Sequence, residues 1–140
     1  MIQARAHLDL MVGEDAIADL AEWAEMRAAE FGAEAEPAVM ARLCVEEAVT
    51  NIVRHGCSGD PDGHTICAEI SRDDMSLQLT IIDDCRPFDP TTVPEHDGET
   101  TILAASIGGR GIRLMRRLSQ QIIYERRDGR NRLTIIILLN

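Results

Sequence analysis

The interval at which apolar residues recur switches repeatedly along this chain, between the alternation of a strand and the three-and-four spacing of a helix. Ile2–Met11 alternates loosely and reads as a first strand. Gly13-Glu14-Asp15 then opens a helix in which Ile17, Leu20, Ala24, Ala28 and Phe31 recur at helical spacing, and Gly32 closes it. Glu36-Pro37 begins a second helix, since proline is tolerated in a first turn, and this one runs to about His55-Gly56. His64–Ser71 and Ser76–Ile82 are β stretches joined by the charged turn Arg72-Asp73-Asp74, which predicts a hairpin. Ile112–Leu118 is a short helix, and Gln121–Arg127 and Asn131–Leu139 flank Asp128-Gly129, a tight-hairpin signal. This order predicts an α+β fold, a two-layer sandwich whose mainly antiparallel, mixed sheet carries helices on one face. With 140 residues, the chain is expected to be one domain spanning 1–140, long enough to bury a core. Two segments stay without a period: the Gly-, Pro- and Asp-rich Cys57–Gly63, and Thr91–Gly109, whose length suits a functional loop or lid.

Charge narrows what such a fold could handle. All 14 basic residues are arginine. The absence of lysine excludes a P-loop lysine, a Schiff-base lysine and a Ser-Lys dyad, so any bound anion must meet arginine, backbone amides or a metal. Residues 1–100 hold 6 Arg against 22 Asp and Glu, whereas 101–140 hold 8 against 2. A net charge of −10 argues against general nucleic-acid binding. Arginines interleaved with Ile and Leu near the end suit a phosphate-bearing small molecule. No apolar run approaches the roughly 18 residues of a membrane span, and the acidic start Met1–Asp19 has no signal-peptide anatomy, so a cytoplasmic location is expected. There Cys44, Cys57, Cys67 and Cys85 should stay reduced. His55-x-Cys57 and His64-x-x-Cys67 fit no common zinc module, which leaves the four as small buried thiols.

Three stretches could carry chemistry. In the second helix Glu47, Asn51 and Arg54 share one side, with Val45, Ala48, Val49 and Ile52 opposite. Met40 and Leu43 lie on the Glu47 stripe, so that face should be half-buried rather than solvated. A carboxylate one turn from a carboxamide can set a proton acceptor beside an oxygen ligand for a hard cation such as Mg²⁺. Asp83-Asp84-Cys85-Arg86-Pro87-Phe88-Asp89 leaves the apolar strand Leu77–Ile82; carboxylates there often form turns, yet one beneath a lid can accept a hydrogen bond from an exocyclic amine. Gly108-Gly109-Arg110-Gly111-Ile112 opens the short helix, where free amides and the positive dipole end favour phosphate.

In this order the three stretches resemble the ATP-binding domain shared by gyrase, histidine kinases and MutL, a Bergerat-type fold. The whole chain is most similar to the stand-alone anti-sigma-factor serine/threonine kinases of bacteria. Val45-Glu46-Glu47-Ala48-Val49-Thr50-Asn51 corresponds to the N-box, Asp83–Pro90 to the adenine box and Gly108–Leu118 to the glycine box, and Tyr124–Thr134 is typical of the subgroup. The resemblance implies ATP and Mg²⁺ as cofactors. It implies Asn51 as the residue holding Mg²⁺, Glu47 as the catalytic base toward a protein hydroxyl, and Asp83 as the acceptor of the adenine amine. Cys85 and Phe88 would line the adenine box; Gly109, Arg110, Gly111 and Ile112 would border the phosphates. It also implies a homodimer whose partners are a sigma factor and an anti-sigma-factor antagonist of the STAS type. The alternative is a non-catalytic module that binds ATP or ADP and a partner protein without phosphorylating it.

Two departures from the family pattern bear on the site. Cys85 stands where the adenine box commonly has Gly, and Pro87 where a second Gly often falls. If the chain at Cys85 needed a positive φ, cysteine would cost roughly 1–2 kcal/mol there. Ser106-Ile107 occupy the place before the glycines where kinase members can carry a basic residue, leaving Arg110 to stabilise the γ-phosphate.

Overall fold

A computed structural model describes residues 2–57, 63–92 and 110–139, with the side chains at 110 and 111 outside the description. The elements follow as β1 (Ala4–Met11), α1 (Glu14–Glu30), α2 (Ala35–Asn51), β2 (Thr65–Arg72), β3 (Ser76–Asp83), α3 (Arg110–Leu118), β4 (Gln121–Arg127) and β5 (Arg130–Leu138). α2 runs on into one wider π turn, Ile52–Gly56, and Pro90–Thr92 forms a 3₁₀ turn. Apart from Thr91 and Thr92, the expected lid lies outside the described residues. Among the described residues no helix is long and apolar enough to cross a membrane.

The strands form one sheet in the order β1-β2-β3-β5-β4. Every neighbouring pair is antiparallel, a sharper outcome than the mainly antiparallel, mixed sheet expected. Local chemistry explains both hairpins. Asp128 and Gly129 take φ of 53° and 75°, the paired left-handed residues of a turn whose twist matches the strands it joins. At the other hairpin the Asp73 carboxylate accepts hydrogen bonds from the amides of Met75 (2.8 Å) and Ser76 (2.7 Å) and so closes the turn itself.

Period-two alternation places Ile66, Ala68 and Ile70 of β2, Leu77, Leu79 and Ile81 of β3, and Leu133, Ile135 and Ile137 of β5 on the buried face. The register sets Leu79 beside Ile70 on one side and Ile135 on the other, so the branched side chains form a continuous layer. The helices meet that layer with small residues: Ala16, Ala24 and Ala28 from α1, and Ala41, Cys44 and Ala48 from α2 are buried. Bulk from the sheet and close approach between helices fill the same space. Each fully buried Leu or Ile contributes about 1.5–3 kcal/mol. The apolar column of β3 ends in a polar residue, Asp83, and that of β5 begins with one, Asn131; the register puts the two opposite each other. Asp83 is thus the last strand residue rather than the first of the loop.

The expectation of four reduced thiols fails for two of them. Cys57 and Cys85 form a disulfide with a Cα–Cα separation of 5.3 Å, while Cys44 and Cys67 are free. Sequence spacing could not anticipate the pair, because the turn after α2 and the end of β3 meet only in the folded chain. Burial, with the nearby Glu47 charge second, pushes the Cys44 thiol up to about 12, as expected of an inert core thiol.

Candidate functional site

The half-buried stripe expected on α2 is present. Met40, Leu43 and Glu47 are partly buried, and Asn51 closes the stripe at 6% exposure. The Asn51 amide makes no hydrogen bond among the described residues, although Thr50 beside it donates to the Glu46 carbonyl at 2.6 Å. The carboxamide is not among the fully shielded polar atoms left without a partner, so it still reaches solvent at the end of the stripe and can meet a ligand there. One turn earlier, Glu47 occupies the same stripe.

The second half of the site starts from Asp83, 3% exposed at the end of β3. Its Oδ1 accepts from the Cys85 amide and from Asn131 Nδ2, both at 3.0 Å, and its Oδ2 accepts no hydrogen bond among the described residues. Burial pushes the Asp83 carboxyl above the ordinary carboxylate value, against the opposing pull of Asn131, the Cys85 amide and the Arg126 charge. Asn131 also donates to the Arg86 carbonyl at 2.8 Å, and its Oδ1 accepts from the Phe88 amide at 3.2 Å and from the Tyr124 hydroxyl. Two donors and two acceptor lone pairs are all used, which fixes the orientation of the Asn131 amide. Arg126 Nη1 donates to the Cys85 carbonyl at 2.8 Å, so Cys85 is held at both its amide and its carbonyl. Among the described non-glycine residues only Asp128 has a positive φ, and the strain considered for Cys85 does not arise.

These two halves are joined where α2 ends. Arg86 Nη2 donates to the His55 carbonyl at 2.7 Å, the rings of His55 and Phe88 stack with centroids 6.2 Å apart, and the Cys57–Cys85 bond lies alongside. His55 is thus a packing residue of this junction. A carboxylate next to Cys85 behaves unlike Asp83. Asp84 is half-exposed; partial burial raises its carboxyl, but the Thr65 amide (3.0 Å) and His64 (3.1 Å) outweigh this and hold it below the usual value.

The glycine box is placed in part. Gly109 lies outside the described residues, and Arg110 begins α3, which packs against α2. The Ile112 side chain is spent in the core at 1% exposure, so what it can offer a ligand is its amide. Of the groups that order the segment from Asp83 to Phe88, Asn131, Tyr124 and Arg126 were given no role by motif reasoning. A polar residue at the inward phase of an otherwise apolar strand, Asn131 before Leu133, Ile135 and Ile137, was the signal available.

The arrangement has two chemical capacities. Asn51 offers a carboxamide oxygen, a donor type suited to Mg²⁺ beside phosphates, and Asp83 Oδ2 offers an acceptor to an amine. A model of the histidine kinase-like ATPase domain matches residues 13–137. The serine/threonine-protein kinase BtrW of Bordetella bronchiseptica is 33% identical over 129 residues, covering 91% of this chain and 89% of its own. Among solved structures, the RsbU and RsbW domains of Rv1364c from Mycobacterium tuberculosis superpose with a TM-score of 0.65 at 17% identity, over 98% of this chain and 33% of that one. A histidine kinase domain of the blue-light activated kinase from Erythrobacter litoralis gives 0.56 at 19% identity, over 88% of this chain and 61% of that one. The fold, the family model and the kinase relative agree: the chain belongs to the histidine kinase-like ATPase domain family.

Proposed function

We propose that the protein is an ATP-dependent serine/threonine kinase that transfers a phosphoryl group to an anti-sigma-factor antagonist and sequesters a sigma factor. The observation that carries the nucleotide site is the buried Asn51 amide, without a hydrogen-bond partner among the described residues, one turn beyond Glu47. Bound Mg²⁺ and ATP would supply the transferable γ-phosphoryl group and the cation that neutralises its charge. Asn51 would hold the cation through its Oδ1, and Asp83 Oδ2 would accept from the adenine amine. Phe88 and Cys85 shape the adenine side, while the start of α3, with Gly109, Arg110, Gly111 and the Ile112 amide, offers donors and positive charge to phosphates. Glu47 takes the proton of the incoming serine or threonine hydroxyl. The acidic first hundred residues offer a surface to a basic partner, and a homodimer in the cytoplasm is the expected assembly.

Titration calorimetry with Mg²⁺ and ATP tests the site: Asn51→Ala should lose at least about 100-fold in affinity, and unchanged affinity removes the assignment. Radiolabel transfer from ATP to a STAS-type domain tests the reaction, with Glu47→Ala binding nucleotide normally but transferring at least about 100-fold more slowly. Tight nucleotide binding with no transfer by the wild type would leave the non-catalytic module as the function.

A further inference from the structure

Cys85, proposed to shape the adenine side, also meets two side chains for which nucleotide binding gives no reason, Cys57 and His64. The Sγ atoms of Cys57 and Cys85 and one ring nitrogen of His64 all lie within 4.8 Å of one another, although 28 residues separate the two cysteines. We propose that the reduced protein binds Zn²⁺ through Cys57, Cys85 and His64, and that the Cys57–Cys85 disulfide is the oxidised, metal-free form of the same site.

The fold, not the local sequence, assembles the three donors. Cys57 is held where α2 ends, its amide donating to the Ile52 carbonyl at 2.8 Å. Cys85 is fixed by Asp83 at its amide and by Arg126 at its carbonyl. The His64 carbonyl accepts from the Val12 amide at 2.9 Å, tying it to the end of β1. Tetrahedral zinc, with bonds of about 2.3 Å to sulfur and about 2.0–2.1 Å to nitrogen, needs donors about 3.3–3.8 Å apart. The Cα–Cα distance of 5.3 Å leaves that spacing within reach of side-chain rotation alone.

The surroundings of His64 match those of a metal-bound imidazole. Its Nδ1 lies 3.1 Å from Asp84 Oδ1, and Asp84 also accepts from the Thr65 amide at 3.0 Å. An ionised carboxylate only accepts, so in the neutral imidazole Nδ1 carries the proton and Nε2 is left with its lone pair for a metal. Cys57 and Cys85 are 4% and 2% exposed, so two thiolates there need a cation to offset their burial. Two thiolates and an imidazole select zinc over the hard cation that the Asn51 oxygen suits. Three protein ligands leave the fourth position to water or to a donor brought by a partner.

Oxidation empties the site in a balanced step. Two protein thiolates and one low-molecular-weight disulfide become one protein disulfide and two small thiolates, which take up protons from water as Zn²⁺ leaves.

The test uses the full chain, reduced with a phosphine under anaerobic conditions and freed of reductant. Wild type should bind about one Zn²⁺ or Co²⁺ per chain, the cobalt form showing thiolate-to-metal absorption and the strong visible bands of a tetrahedral site. Cys44→Ser/Cys67→Ser should retain this, Cys57→Ser/Cys85→Ser should lose it, and Asp84→Asn should bind about 10–100-fold more weakly. A low-molecular-weight disulfide should release the metal from wild type. His64→Ala leaves both thiols in place and decides the matter if the double serine variant does not fold: it must bind at least about 100-fold more weakly. No stoichiometric binding by the reduced chain, binding that survives His64→Ala, or binding that depends on Cys44 and Cys67 overturns the proposal.

Discussion

The two ends of the sheet spend their polar groups differently. At the end where β3 stops and β5 starts, Asp83 and Asn131 are buried, and a complete set of hydrogen bonds aims the Asp83 carboxylate while leaving its Oδ2 available. At the opposite end, polar groups are used up on the chain itself. Arg72 donates to the Phe31 carbonyl, Gly32 takes a φ of 88° beside it, and the Leu139 amide donates to the Met75 carbonyl at 2.8 Å. That far end also holds a hollow of about 240 Å³, lined by Gly32, Pro37, Met40, Arg72 and Leu138. A hollow alone would draw attention to that end. Buried polar groups with unused hydrogen-bonding capacity point to the other.

Asn131→Ala should have the largest effect, because it removes four hydrogen bonds at once and strips Asp83 of one buried donor. The expected loss is about 3 kcal/mol or more in denaturant unfolding, together with at least about 100-fold in ATP affinity. An unfolding loss below about 1 kcal/mol would mean that this end is not the ordered one.

Asp83→Asn separates order from binding. The carboxamide keeps an Oδ1 for the Cys85 and Asn131 donors but turns the second acceptor into a donor, which opposes an amine. Because burial raises the folded Asp83 value above its unfolded one, its stabilising contribution is present in acid and lost as pH rises through the folded value. At neutral pH the neutral isostere should therefore unfold within about 1 kcal/mol of wild type, or be more stable, while ATP affinity falls about 100-fold. Equal nucleotide binding by the variant in calorimetry would take Asp83 out of the site.

Much of this was legible in the residues. Asp128-Gly129, the Asp73 turn and the switch from helical to alternating period gave the elements because each depends on contacts a few residues apart. Glu47 and Asn51 could be set on one stripe for the same reason. The register of β3 with β5 was not legible, and with it went the pairing of Asp83 with Asn131, two residues 48 apart that meet only when β5 adds to β3 rather than β4. The disulfide failed in the same way. Cys57 and Cys85 read as ordinary thiols until the end of α2 and the end of β3 are brought together.

Changes at the far end should cost stability and spare the nucleotide. Arg72→Ala loses a charged donor to the Phe31 carbonyl, worth about 1.5–3 kcal/mol. Gly32→Ala meets two penalties, a left-handed φ and a new Cβ only 2.9 Å from Arg72 Nη1, so about 1–2 kcal/mol is expected. Both variants should bind ATP as wild type does under conditions where they stay folded. A tenfold loss of affinity in either would show that the two ends are coupled through the sheet.

The smallest effect belongs to Tyr124→Phe, and it probes how much redundancy the ordered end holds. Removing the hydroxyl deletes one of the two bonds to Asn131 Oδ1 and leaves the other, from the Phe88 amide, in place. Asn131 Nδ2 keeps both Asp83 and the Arg86 carbonyl, so the carboxamide has no reason to turn. A loss of about 1 kcal/mol in unfolding with less than about a threefold change in ATP affinity is expected. If affinity instead falls as far as in Asp83→Asn, the hydroxyl sets the orientation of Asn131, and the aim of the Asp83 carboxylate depends on β4 as well as on β3 and β5.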